Sequence, residues 1–144
     1  MNVKGIRWEY CRETMEDRQD EPSLIVEIFV IHGGHSFFVS SCRHLEDWHV
    51  RITRVSIIDL IAEMNSAGMD REYEREKIAD TVYESYDFKQ NDIPEELRES
   101  EFYNAIKLAW LVRRTALPMT EESAEEVEML IKKWQGQDLT NLVI

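Results

Sequence analysis

Residues 23–42 read SLIVEIFVIHGGHSFFVSSC. Leu24 to Ile31 is rich in β-branched residues, Phe37 to Val39 is apolar, and Gly33-Gly34 lies between them. Two glycines between such runs predict a β-hairpin, because the tight turns that match strand twist need positive φ. A two-residue loop sets His32 opposite His35, Val30 opposite Phe37 and Ile28 opposite Val39. Side chains alternate across a sheet, so one face carries Val26, Ile28, Val30, Phe37 and Val39. That face is wholly apolar and is expected to be core. The other carries Ile25, Phe29, Ile31, Phe38 and Cys42, interrupted by Glu27, Ser36 and Ser40. The second side of an antiparallel sheet is commonly polar. This mixed face has two readings: a loop covers it, or it is an apolar patch that meets a partner.

Upstream, Val3 to Arg12 alternates, with Ile6, Trp8 and Tyr10 on one side and Arg7, Glu9 and Cys11 on the other, the pattern of a half-wet strand. Glu13 to Pro22 is polar and acidic and reads as an exposed loop. Downstream, Arg43 to Asp47 reads as a short polar connection. Trp48, Val50 and Ile52 then alternate with His49, Arg51 and Thr53, which predicts another strand.

Helices follow. Ser56 with Asp59 resembles a capping box; Ile57, Leu60, Ile61 and Met64 form the expected buried stripe, and Gly68 the stop. A second helix is expected from Asp70 to about Tyr86, with Ile78, Ala79, Val82, Tyr83 and Tyr86 on one side. Asp92-x-x-Glu95 with Pro94 marks a new start. Ser100 to Thr115 is apolar on nearly every side except at Lys107, as in a helix inside a larger packing. Thr120 is the expected N-cap of the last helix; Ala124, Val127, Leu130, Ile131 and Trp134 form its stripe, and Gly136 ends it. The tail from Leu139 to Ile144 is expected to dock on the sheet or core; the alternative is a sticky end for another chain. Strands precede helices without βαβ alternation, which is an α+β arrangement. The expectation is one domain over residues 1–144. Residues 1–55 would form an antiparallel sheet of three to four strands, packed against four to five helices from residues 56–144.

The chain has 144 residues, with 29 acidic against 17 basic side chains and a formal net charge of −12. That balance argues against direct nucleic-acid binding, which works through clustered Lys and Arg. It fits a partner that is itself basic. No apolar run is long enough to span a bilayer, so no membrane partner is expected. Two cysteines, Cys11 and Cys42, and an N-terminal MNVKGIRWEYC without an apolar signal core fit a reducing cytoplasm.

Glu121 and Glu122 fall in the first turn of the last helix, where the dipole favours anions, and Lys132 and Lys133 at its other end. Glu84 and Asp87 fall near the expected end of the second helix, where the dipole disfavours them. Asp92, Glu95, Glu96, Glu99 and Glu101 follow, against only Lys89 and Arg98. The acids of 13–21 have Arg18 alone among them. Such runs are commonly solvated faces; the functional reading is an acidic docking surface.

All four histidines, His32, His35, His44 and His49, fall in one window with Cys42. His32 and His35 supply two cross-strand imidazoles, half of a tetrahedral zinc set, but Cys42 is expected on the opposite face. Cys42 with His44 or His49 outlines a thiol nucleophile, without the geometry to support it. No P-loop, dinucleotide fingerprint or nucleophile elbow occurs. The preferred reading is therefore a small acidic cytoplasmic protein that binds a protein partner, of inhibitor, immunity, adaptor or chaperone type, with no catalytic residues and no cofactor. Its contact surface would be Glu84, Asp87, Asp92, Glu95, Glu96, Glu99 and Glu101, with residues 13–21 and with Phe29, Ile31 and Phe38 as apolar anchors. The alternatives are a metal or thiol enzyme at His32, His35, Cys42 and His44, and a homo-oligomeric structural protein.

Overall fold

A computed structural model describes residues 1–11, 23–44, 47–56, 58, 61, 84–89, 92–140 and 142. Cys11, Ser23, Arg43, His44, Asp47, Val55 and Glu84–Lys89 are described by their backbone. Five strands, β1 (Asn2–Cys11), β2 (Ser23–His32), β3 (His35–His44), β4 (Asp47–Val55) and β5 (Glu84–Lys89), form one antiparallel sheet in sequence order. Three helices follow: α1 (Glu95–Arg98), α2 (Phe102–Ala116) and α3 (Glu121–Trp134). The architecture is α+β.

The hairpin takes the expected register, with His32 opposite His35, Val30 opposite Phe37 and Ile28 opposite Val39. Gly33 and Gly34 have φ of 59° and 78°, a region that costs a residue without Cβ little. Val26, Ile28, Val30, Phe37 and Val39 are buried in one cluster with Val3, Val50 and Ile52. α2 closes this face through Ala105, Ile106, Leu108, Ala109, Val112 and Ala116, and α3 through Val127. Burying a side chain of Val or Ile size contributes roughly 1.5–3 kcal/mol, so this layer carries most of the stability.

The other helical expectations largely hold. Thr120 Oγ1 accepts the Ser123 N–H at 3.0 Å, and Ser123 Oγ accepts the Thr120 N–H at 2.8 Å. This is a reciprocal cap with serine at the third helical position. Gly136, with φ of 80°, ends the run. Beyond it the chain pairs with the start of β1. Gly136 N–H donates to the Val3 carbonyl at 2.7 Å, Val3 N–H to Gln137 at 2.9 Å, and Leu139 N–H to Met1 at 2.7 Å. Leu139 and Leu142 are buried in the core, so the described part of the tail docks. Lys107 Nζ donates to the Leu142 carbonyl at 2.7 Å, which accounts for the one cation on α2's apolar stretch.

Three expectations are corrected. The connection at 43–47 shrinks to the two residues between His44 and Asp47, because β3 and β4 pair to their ends. Glu84–Lys89 is a strand, not the end of a helix, so sheet-forming residues are not confined to 1–55. Tyr86 and Phe88 alternate with Ser85 and Asp87 in the sequence, and register sets them opposite Ile52 and Val50. That period of two outweighs the helical stripe through Val82 and Tyr83. Ile61, expected in a buried stripe, is helical but 52% exposed. The remainder of the expected helices over 56–68 and 70–83, and the acidic stretch 13–21, lie outside the described residues. The described residues hold three helices of defined extent, and the expected count of four to five is not confirmed.

Candidate functional site

The fold separates the acids into two groups. Register places Glu84 across from Arg54 and Asp87 across from Arg51 on β4. Opposite charges directly across a sheet contribute roughly 0.2–1 kcal/mol. No helix ends at Glu84–Lys89, so the dipole argument for singling out these two acids falls.

The second group surrounds α1. Ile93 is buried and ties this segment to the core. Pro94 follows as the N-cap, with φ of −57°, and its carbonyl accepts the N–H groups of Leu97 and Arg98 at 3.0 and 3.1 Å. The helix starts one residue past the proline, so Asp92 lies outside it and contributes no side-chain cap. α1 is a single turn with no buried residue; Leu97 alone packs partly on the core. Asp92, Glu95, Glu96 and Glu99 are exposed and make no ion pair among the described residues. Glu95 and Glu96 gain from the first turn of the helix, while Glu99 sits at its C-cap, the wrong end for an anion. Ile93, Glu95, Arg98 and Glu99 line an open cleft of about 430 Å³.

Glu101 is the exception in this group. Its Oε2 meets His32 Nδ1 at 2.9 Å. The His32 ring lies edge-on to Phe102 at 5.4 Å, and Phe102 lies edge-on to Phe37 at 4.7 Å. The hairpin tip is thus pinned to the start of α2, and His32 is committed to that contact. His35, across from it, is exposed. Alternation puts Cys42 on the face opposite these two histidines, as expected. His44 ends β3 beside Cys42, away from the Gly-Gly turn. Register therefore separates His32 and His35 from Cys42. Among the residues described side chain and all, no three His, Cys, Asp or Glu gather around a point.

Two of the three expected apolar anchors are buried. Phe29 is 1% exposed and Phe38 is 7% exposed, while Ile31 is half-buried. Glu27, Ser36, Ser40 and Thr53 on the same face are also buried. The two rings sit 6.4 Å apart, and the Arg7 guanidinium caps Phe29 at 5.3 Å. Arg7 also holds the fully buried Glu27 through Nη2 at 2.9 Å and Nε at 3.3 Å.

Comparison with family models, with curated proteins and with solved structures finds no match. No helix among the described residues is long and apolar enough to cross a membrane.

On α3, Glu121, Glu122, Glu125, Glu126 and Glu128 are exposed. Glu128 accepts the indole N–H of Trp8 at 3.1 Å, which ties the helix to β1. On α2, burial lowers the pKa of Arg113, whose guanidinium stacks on Trp48 at 4.0 Å; α2 is thereby fastened to β4. Sequence reasoning passed over these contacts because they join residues far apart in the chain.

Proposed function

We propose that the chain acts by binding a macromolecular partner through the acidic surface around α1: Asp92, Glu95, Glu96 and Glu99, with Glu101 at its border. The observation that carries this reading is a one-turn helix that buries none of its own side chains, with Glu95 and Glu96 in it and Asp92 and Glu99 flanking it, all four exposed and Arg98 the one cation among them. Packing does not require those acids. A basic protein, including one whose own ligand is nucleic acid, is the matching partner. A cytoplasmic inhibitor, immunity protein or adaptor fits this mode.

Rim charges of this kind act mainly on association rate and on selectivity, and their effect is screened over roughly 8–10 Å at ordinary salt. The energetic anchor is not Phe29 or Phe38, which are buried. Glu84 and Asp87 belong to the sheet by their register and are set aside from the contact surface.

The test is capture from the native host with the full chain and with a Glu95→Lys, Glu96→Lys, Glu99→Lys variant. The expected result is a partner held by the parent and lost by the variant. Reversal at Glu125 and Glu126 on α3 serves as a control and retains the partner. Equal capture by all three chains would refute the reading.

A further inference from the structure

β1 is an edge strand, and the tail engages one end of that edge. Val3 donates its N–H to Gln137 and accepts from Gly136, so at Val3 the backbone groups directed away from β2 belong to the tail. Successive residues of a strand direct their N–H and C=O groups to opposite sides. The register slips by one residue between Val3 and Gly5, so beyond the slip Ile6, Trp8 and Tyr10 carry the outward groups. Among the described residues, no backbone bond engages Ile6 or Trp8 on that side. An edge in this condition is a template for another strand. The side chains of Ile6, Trp8 and Tyr10 lie on the helical face, across from Ile28, Val26 and Leu24. They pack against the core but stay only half-buried.

We propose that β1 pairs antiparallel with β1 of a second copy about a two-fold axis at Trp8, joining two five-stranded sheets into one. Charge complementarity selects this occupant and this register. Arg7 and Glu9 flank Trp8 on the face opposite the helices, across from Glu27 and Ile25. An axis at Trp8 sets each Arg7 across from the partner's Glu9 in both halves of the interface. An axis at Arg7 or at Glu9 sets like charges across from each other, which is destabilising. Arg7 keeps its bond to Glu27, and Trp8 keeps its indole bond to Glu128. Trp8 exchanges both backbone bonds with the partner's Trp8, and Ile6 falls across from the partner's Tyr10. Apolar and aromatic side chains left half-wet in one chain therefore meet across the axis, where such pairs are favourable. An isologous contact closes at two copies. The tail at Val3 bounds the pairing, so the interface is small and the dimer concentration-dependent. This surface shares no residue with the acidic surface around α1, and its test is independent of that reading.

The test is sedimentation equilibrium of the full chain over a concentration series, with isotope-filtered NOE measurement on a mixture of labelled and unlabelled chain. Opposed residues that do not exchange backbone bonds hold their Cα atoms about 4.5 Å apart, so Arg7 Hα and the partner's Glu9 Hα should give an NOE between chains. The expected result is a monomer–dimer equilibrium with that NOE. Glu9→Arg, at an exposed position, weakens the dimer by about tenfold or more, since both attractive cross-strand pairs become repulsive. Glu122→Arg on α3 leaves it unchanged. If Glu9→Arg does not fold, the NOE in the parent chain decides. A monomer at every concentration, as when another segment of the same chain covers the edge, would overturn the proposal. So would a dimer without the Arg7–Glu9 NOE, or a Glu9→Arg dimer as tight as the parent's.

Discussion

The acids of the sheet and the acids around α1 carry the same charge in different company. Glu27 is fully buried against Arg7, and Glu84 and Asp87 stand across from Arg54 and Arg51. Asp92, Glu95, Glu96 and Glu99 face solvent around a turn of helix that buries nothing. The first group is accounted for by the fold, Glu27 by its ion pair with Arg7 and Glu84 and Asp87 by register positions across from arginine. The second is not. An acidic run in a sequence therefore says little until register shows which carboxylates already have an arginine opposite them.

The largest expected effect is at the buried pair. Arg7→Met removes the guanidinium that holds Glu27 and caps Phe29, and should destabilise the chain by about 3 kcal/mol or more, as for broken buried pairs generally. Urea unfolding measures it. A loss below about 1 kcal/mol, the range of a surface pair, would place Glu27 with the dispensable acids and break the comparison. A double-mutant cycle on Arg51→Ala and Asp87→Ala should give a coupling of roughly 0.2–1 kcal/mol. Zero coupling would return Asp87 to the docking surface. His32→Ala should cost under about 1 kcal/mol, since the pair with Glu101 is partly exposed and screened; a larger loss would make Glu101 structural as well. Smallest of all, Glu95→Lys, Glu96→Lys and Glu99→Lys should each leave stability within about 0.5 kcal/mol, as surface changes usually do.

Much of the sheet was legible because its signals are local. Gly33-Gly34 fixes the hairpin register, and a period of two then assigns every side chain of β2 and β3 to a face. The cap at Thr120 and the stop at Gly136 bounded α3 for the same reason. β5 was misread because Glu84–Lys89 satisfies two periods at once, and its choice depends on Ile52 and Val50, far away in the chain. The burial of Phe29 and Phe38 could not be read either. Their own strands show only a mixed face, and what closes it is tertiary. The polar composition of Arg43 to Asp47 hid the extension of β3 and β4 to a two-residue connection.

The central claim is that the carboxylates around α1 serve an outside partner rather than the fold. The most direct measurement compares the parent chain with the Glu95→Lys, Glu96→Lys, Glu99→Lys variant in two readouts: unfolding free energy and capture of the native partner. Unchanged unfolding with capture abolished is the predicted result. Unfolding that falls by several kcal/mol, or capture that persists, would contradict it.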